Sequence, residues 1–344
     1  MIVYFGTNRE PDVHGNPTRF GTRINSRLPG ELRFGTANIT GETVQISVAR
    51  ETARGGVLKL LPRDNVFEQL RQTMVANPGS DVLVFVHGYN VSFDEAIRDA
   101  AAICGSYSAA SAGAAKSYIP FVFSWPSDGS LIPLRAYYSD RDDASSSALA
   151  LRRGFEKLAS FLGEIAKNAT EITRKGGDGR GYLCGGQIHV LAHSMGNFAL
   201  SHAVEGISRD NARARRLWGE VILVAADEDE TVFERGGRFH RLGEFCNRVS
   251  IYINRNDRAL IISDVTKPNP DRLGALGPRN PRALSTQVEI VDCQRVAGGS
   301  LTQHSYYRTS PAAVTDIAAV LGGRAGSDIE WRTYDPQKNH YRLG

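Results

Sequence analysis

The block Ala192-His193-Ser194-Met195-Gly196 sets a hydroxyl nucleophile between residues small enough for a sharp turn. It follows the apolar run 188–191 and precedes a segment in which Phe198, Leu200 and Val204 recur at helical spacing. A serine exposed on a turn between strand and helix sits in strained backbone, so the positions two before and two after it must be small. Ala192 and Gly196 meet that requirement. The helix start behind Ser194 supplies backbone N–H groups and the positive end of a dipole, both of which favour the anionic oxygen of a tetrahedral intermediate. The Met195 N–H is therefore one expected oxyanion donor. A second comes from the run 82–86, which ends in His87-Gly88-Tyr89-Asn90; the N–H of Tyr89 is assigned to it, with Asn90 as the substitute.

A serine of this kind needs a base and an acid, in the chain order serine, acid, histidine. His304 follows the apolar run 288–291 and a Gly-containing loop, and precedes the last helix, where it can reach the C-terminal edge of a sheet. His340 lies in an aperiodic tail, and His240 precedes the best acid. That acid is Asp257, on the polar turn Asn254-Arg255-Asn256-Asp257 after the run 249–253, with Asp227, Asp229 and Asp264 as alternatives. His87, Asn90, Trp125 and His193 are the substrate-pocket candidates, being close in sequence to these turns or just past a strand end.

Six apolar runs, 82–86, 119–123, 188–191, 221–225, 249–253 and 288–291, alternate with amphipathic stretches, the rhythm of a mostly parallel sheet flanked by helices. Ser92 and Glu95 have capping-box spacing, residues 146–166 read as a helix with one charged face, and 311–321 as a helix between Pro311 and Gly322-Gly323. Residues 1–80 are rich in Thr and Gly, with strict alternation over 43–48, and read as an antiparallel β extension of that sheet. The expected organisation is a single domain over 1–323, with lid-like segments within 106–147 (106–116 and 127–147) and a polar tail at 324–344.

The chain has 344 residues, 41% of them hydrophobic and 23% charged, with a net charge of +4. Its longest apolar run is six residues, far short of the ~18 a membrane helix needs, so no membrane span is expected. The arginines at 209, 213, 215 and 216 read as a solvated helix face, and no nucleic-acid partner is expected. The four cysteines form no C-x-x-C pair and read as reduced thiols. The histidines show no metal-binding spacing, and the glycines at 177–185 precede a strand, the reverse of a pyrophosphate loop, so no cofactor is expected. A strand-like start at Ile2 without the features of a signal peptide points to the cytoplasm.

With Phe85 to Asn90, Phe123-Ser124-Trp125-Pro126-Ser127 and Ala192 to Asn197 in one order, the chain resembles a bacterial esterase/lipase-like α/β-hydrolase family of unknown function. Phe5 to Arg9, Asn256 to Leu260 and His304 to Tyr307 extend the likeness over residues 1 to about 322, and Tyr137, Tyr138 and Asp140 match a further block without a role. The resemblance implies Ser194 as nucleophile, Asp257 as acid and His304 as base. The expected activity is cleavage of small-molecule carboxylic esters. The alternatives are acyl transfer or amide or thioester cleavage by the same residues, and a catalytically silent binding protein. The acidic run 227–230 and the Gly-rich loop 175–186 depart from the family pattern. No oligomeric state is implied.

Overall fold

The apolar runs become the inner strands of one large sheet in the computed structural model. It describes residues 1–13, 15–25, 32–49, 51–54, 57–60, 65–114, 116–127, 133–177, 186–210, 216–260, 271–298 and 302–344. The strands are β1 (Ile2–Thr7), β2 (Arg33–Thr40), β3 (Thr43–Val48), β4 (Ser80–Val86), β5 (Ser117–Ser124), β6 (Ile188–His193), β7 (Trp218–Val224), β8 (Cys246–Ile253), β9 (Val288–Asp292), β10 (Arg332–Asp335) and β11 (His340–Leu343). They lie in the order β10-β11-β9-β8-β7-β6-β4-β5-β1-β2-β3. All neighbours from β11 to β1 are parallel; β1–β2, β2–β3 and β10–β11 are antiparallel.

A parallel sheet must be covered on both faces, and the two-residue side-chain period divides each inner strand between two cores. Val82, Val84 and Val86 of β4 belong to one apolar cluster, while Leu83 and Phe85 belong to the other. The first cluster is closed by α1 (Val66–Ala76), α3 (Pro133–Arg174) and α4 (Met195–Asp210), through residues such as Leu70, Phe155 and Leu200. The second is closed by α2 (Phe93–Ala110) and α5 (Pro311–Leu321), through Ile97, Ile103 and Ile317. Ser92 and Glu95 form the expected reciprocal capping box at the start of α2. Among the described residues, no helix is long and apolar enough to cross a membrane.

Several segments differ from the sequence reading. Residues 106–110 complete α2 and 112–114 form a 3-10 turn before β5, so this stretch is a helix end and not an excursion. Most of 127–147 is the first part of α3, a single helix of 42 residues that continues through the expected helix 146–166. Asp140, Ala144, Ser147, Ala148, Leu151, Phe155, Leu158, Phe161 and Ile165 form its buried stripe. Its N-terminal half carries that stripe with a carboxylate and small residues, which conceals the apolar period. The third segment is the polar tail 324–344, which holds β10 and β11 and extends the sheet. β1, expected within an antiparallel extension, pairs parallel with β5 on one side and antiparallel with β2 on the other.

The C-terminal strands are locked by a buried polar group. Arg332 donates to both carboxylate oxygens of Asp316, at 2.8 and 2.6 Å, and Tyr252 donates its hydroxyl proton to the same carboxylate at 2.7 Å. Glu289 takes a further guanidinium N–H at 3.2 Å. Asp316 and Arg332 have no side-chain exposure, so removing the guanidinium strands a carboxylate in the core. Arg332→Met is expected to destabilise the protein by about 3–5 kcal/mol, read as a lower denaturation midpoint in urea. A change under about 1 kcal/mol would show that this strand pair contributes little to the fold.

Candidate active site

Ser194 is the single residue between β6 and α4, and its φ is +52°, a region that non-glycine residues seldom occupy. Backbone bonds hold it there on both sides. Its N–H donates to the Val224 carbonyl at 3.1 Å, and its carbonyl accepts from the N–H groups of Asn197 (3.0 Å) and Asp227 (3.1 Å). The buried Asn197 amide donates to the carbonyls of Ala192 (2.9 Å) and Ser194 (3.2 Å), so this side chain ties both limbs of the turn. Sequence reasoning gave Asn197 no role; a polar residue on the inner face of an apolar helix was the available signal. A Cβ on Gly196 would stand 2.4 Å from the Val86 carbonyl oxygen and 2.5 Å from that of His87, so only glycine lets α4 approach β4.

The structure brings Asp257 and His304 together. The Asp257 turn follows β8, the His304 loop follows β9, and the His304 Nδ1 to Asp257 Oδ2 distance is 2.7 Å. The other carboxylate oxygen accepts the N–H groups of Ala259 (3.1 Å) and Leu260 (3.2 Å), which fixes the buried acid in place. A carboxylate acceptor puts the imidazole proton on Nδ1 and leaves Nε2 as the basic nitrogen. Two more bonds join the loops: the Asn254 amide donates to Gln303 O at 3.0 Å, and Arg258 N–H to Thr302 O at 3.0 Å. Gln303 has a φ of +53°, the bend that turns His304 inward. His193 lies beside His304, its ring 4.7 Å from that of His304 and 4.6 Å from that of Tyr307, with Nε2 3.3 Å from the His304 carbonyl. Burial, with the His304 and Arg308 charges in support, pushes the His193 pKa well below the usual imidazole range.

The carboxylates of Asp227 and Asp229 are turned to another partner. Asp227 is 3.5 Å and Asp229 2.7 Å from the buried Arg272 guanidinium. Asp264 lies outside the described residues. The other members of the acidic run are also matched, Glu228 with Arg238 at 2.6 Å and Glu230 with Arg279 at 2.5 Å. His340 is a buried residue of β11, the strand next to the sheet edge. Most of the Gly-rich loop, Cys184, Arg213 and Arg215 lie outside the described residues, while Cys104, Cys246 and Cys293 are buried thiols.

The turn after β4 passes against the serine. A Cβ on Gly88 would lie 3.0 Å from Ser194 Cβ and 3.1 Å from His193 Nδ1. Asn90 has a φ of +56°, and its N–H donates to the Ser127 hydroxyl at 2.7 Å, which commits the substitute oxyanion donor to another partner. Met195 opens α4, where the first-turn N–H groups have no acceptor within the helix. His87 and Trp125 lie fully buried beneath the turn, stacked at 5.0 Å and 11°, and Trp125 Nε1 donates to the His87 carbonyl at 2.9 Å. Neither presents a face to solvent. His87 donates from Nδ1 to the Gly88 carbonyl at 2.8 Å, and burial, then the Arg9 charge, lowers its pKa to about 3.

This chain belongs to the family described as alpha/beta hydrolase of unknown function (DUF900), whose sequence profile matches residues 63–168 and 184–324. The match contains Ser194, Asp257 and His304, and leaves β1 to β3 and the final strands outside it. No curated protein and no solved structure shows significant similarity to the chain.

Three histidines, His87, His193 and His202, are held neutral in the folded state. Burial depresses all three, with His202 lowered to about 4. In the unfolded chain each returns to about 6.5. Between those values the unfolded state binds more protons, so stability rises with pH. Thermal melts from about pH 7.5 to about pH 5.5 are expected to show a falling Tm, with a shallower fall in His202→Asn. A flat profile would mean that these imidazoles titrate normally in the folded protein.

Proposed function

We propose that this α/β hydrolase is a serine hydrolase of small-molecule carboxylic esters. The observation that carries the reading is the 2.7 Å bond from His304 Nδ1 to Asp257, delivered to the edge of the sheet where Ser194 is held at a φ of +52°. Family membership supports hydrolysis as the reaction class.

His304 Nε2 takes the proton of the Ser194 hydroxyl as Oγ attacks the ester carbonyl. The charge that develops on the carbonyl oxygen is met by the Met195 and Tyr89 N–H groups, while Asp257 stabilises the imidazolium and holds its orientation. Collapse of the tetrahedral species expels the alcohol, which receives the proton from His304, and leaves an acyl-serine. Water, deprotonated by His304, then attacks the acyl carbon and frees the carboxylic acid and Ser194. The neutral state of His193 matters here, because a second imidazolium beside His304 would oppose its protonation.

Incubation with a fluorophosphonate is expected to add one covalent adduct to the wild-type protein, seen in its intact mass, and none to Ser194→Ala or His304→Ala. An adduct that survives in Ser194→Ala would exclude this serine as the nucleophile. With a p-nitrophenyl ester, Asp257→Asn is expected to lower kcat by about 10³–10⁴-fold, because the amide leaves the imidazole in the wrong tautomer. Asn substituted at Asp227 or Asp229 serves as the comparison, and a comparable loss at either would move the acid away from Asp257.

A further inference from the structure

The buried stripe of α3 carries a carboxylate, Asp140, that the proposed chemistry does not use. Its oxygen Oδ2 accepts the hydroxyl proton of Ser127 in a short bond. Ser127 Oγ in turn accepts the N–H of Asn90 at 2.7 Å and lies 3.4 Å from that of Val91; Asp140 Oδ2 lies 3.4 Å from the Asn90 N–H. Both side chains are buried, where polar atoms need partners of this kind. Arg9, also buried, donates to the Val91 carbonyl at 2.7 Å and to Ser124 Oγ at 2.9 Å, and its charge and that of Asp140 attract. The segment after β1, the end of β5 with the residues that follow it, and helix α3 thus converge on one turn, residues 87–91, whose opposite side touches Ser194 through Gly88.

The direction of these bonds matters. A hydroxyl has one proton, and Asp140 takes it, so the Ser127 lone pairs are turned toward Asn90 and Val91. That orientation fixes the left-handed Asn90 and, with it, the plane of the preceding peptide groups. We propose that Asp140, acting through Ser127, is a positioning pair that sets the Tyr89 N–H as an oxyanion donor. This rests on the serine-hydrolase reading. The pair touches no reacting atom. Its effect is confined to a hydrogen bond that strengthens as charge develops, and so to kcat more than to KM.

The test measures wild type, Ser127→Ala and Asp140→Asn with a p-nitrophenyl ester and with its thiono analogue, whose sulfur is a poor hydrogen-bond acceptor. Both variants keep side-chain volume close to the original, and melting curves confirm their folding. For the oxygen ester, kcat is expected to fall on the order of tenfold to hundredfold with KM within about twofold. The thiono ester is expected to lose less, so the wild-type preference for oxygen over sulfur shrinks in both variants. Ser127→Thr, which retains the hydroxyl, is expected to restore that preference. Equal losses on both substrates, a rise in KM alone, or no change in kcat would overturn the assignment while leaving the serine mechanism intact. A wild-type protein with neither fluorophosphonate adduct nor turnover would overturn both.

Discussion

A serine stays at positive φ only when its turn is clamped from both sides, and that constraint governs the packing around Ser194. The strain of such a residue is of order 1–3 kcal/mol, so neighbouring structure must over-determine it. Here the clamp consists of the Val224 carbonyl on one limb, the Asn197 amide across both, and the approach of Gly196 to the carbonyls of Val86 and His87. Each element involved has to keep its register. A shift of β4 or β7 by one residue would exchange the core faces of those strands as well as the carbonyls that hold the turn. The two apolar clusters therefore fix the serine's backbone indirectly, through Val82, Val84 and Val86 on one face and Leu83 and Phe85 on the other.

Buried charge is handled by the same logic of fixed partners. Asp316 lies between Arg332 and Tyr252, Asp81 between Lys116 and His189, and Glu228 between Arg238 and Ser201. Such groups are a poor source of net stability, because desolvation offsets much of the attraction, but each joins elements distant in sequence. Asp81 connects the starts of β4, β5 and β6, at the sheet end opposite to the serine. The four carboxylates of the acidic run after β7 are paired in place with three arginines, Arg272, Arg238 and Arg279, which offset most of its charge near the start of α4.

What was legible in the sequence were features set by local chemistry. The turn around Ser194 needs small residues at fixed offsets, and Ala192 and Gly196 are visible as such. The inner strands are continuous apolar runs because both faces are covered, and the structure extends each by only a few residues. That the loops of Asp257 and His304 leave neighbouring strands could be read from which apolar run each follows. What was not legible depends on partners far away in sequence. The first half of α3 looks polar because its inward stripe contains Asp140 and Ser147, whose burial is supported by bonds with Ser127 and Asn8. The C-terminal strands look aperiodic because β10 and β11 are short, β10 being anchored through Arg332 and β11 through Leu343 in an apolar cluster. Trp125, read as a pocket residue from its position past a strand end, is buried because His87 stacks on it.

The placement of the His304 loop relative to the Ser194 turn follows from a chain of backbone contacts and not from a single packing surface. The Asp227 N–H donates to the Ser194 carbonyl, and the Ala226 carbonyl accepts from Gly274 at 2.9 Å. The Gly274 carbonyl accepts from Asn254 at 2.9 Å, and the Asn254 side chain donates to Gln303, the residue before His304. Gly274 can occupy this path only without a side chain, since a Cβ would stand 2.1 Å from the Ala226 nitrogen. Loops leaving β6, β7, β8 and β9 are thereby joined in strand order, and the imidazole inherits its position from the same register that strains the serine. Asn254 and Asp257 share one turn after β8 and grip the His304 loop at adjacent points. Asp227 is occupied in the path as a backbone donor, with its carboxylate turned to Arg272.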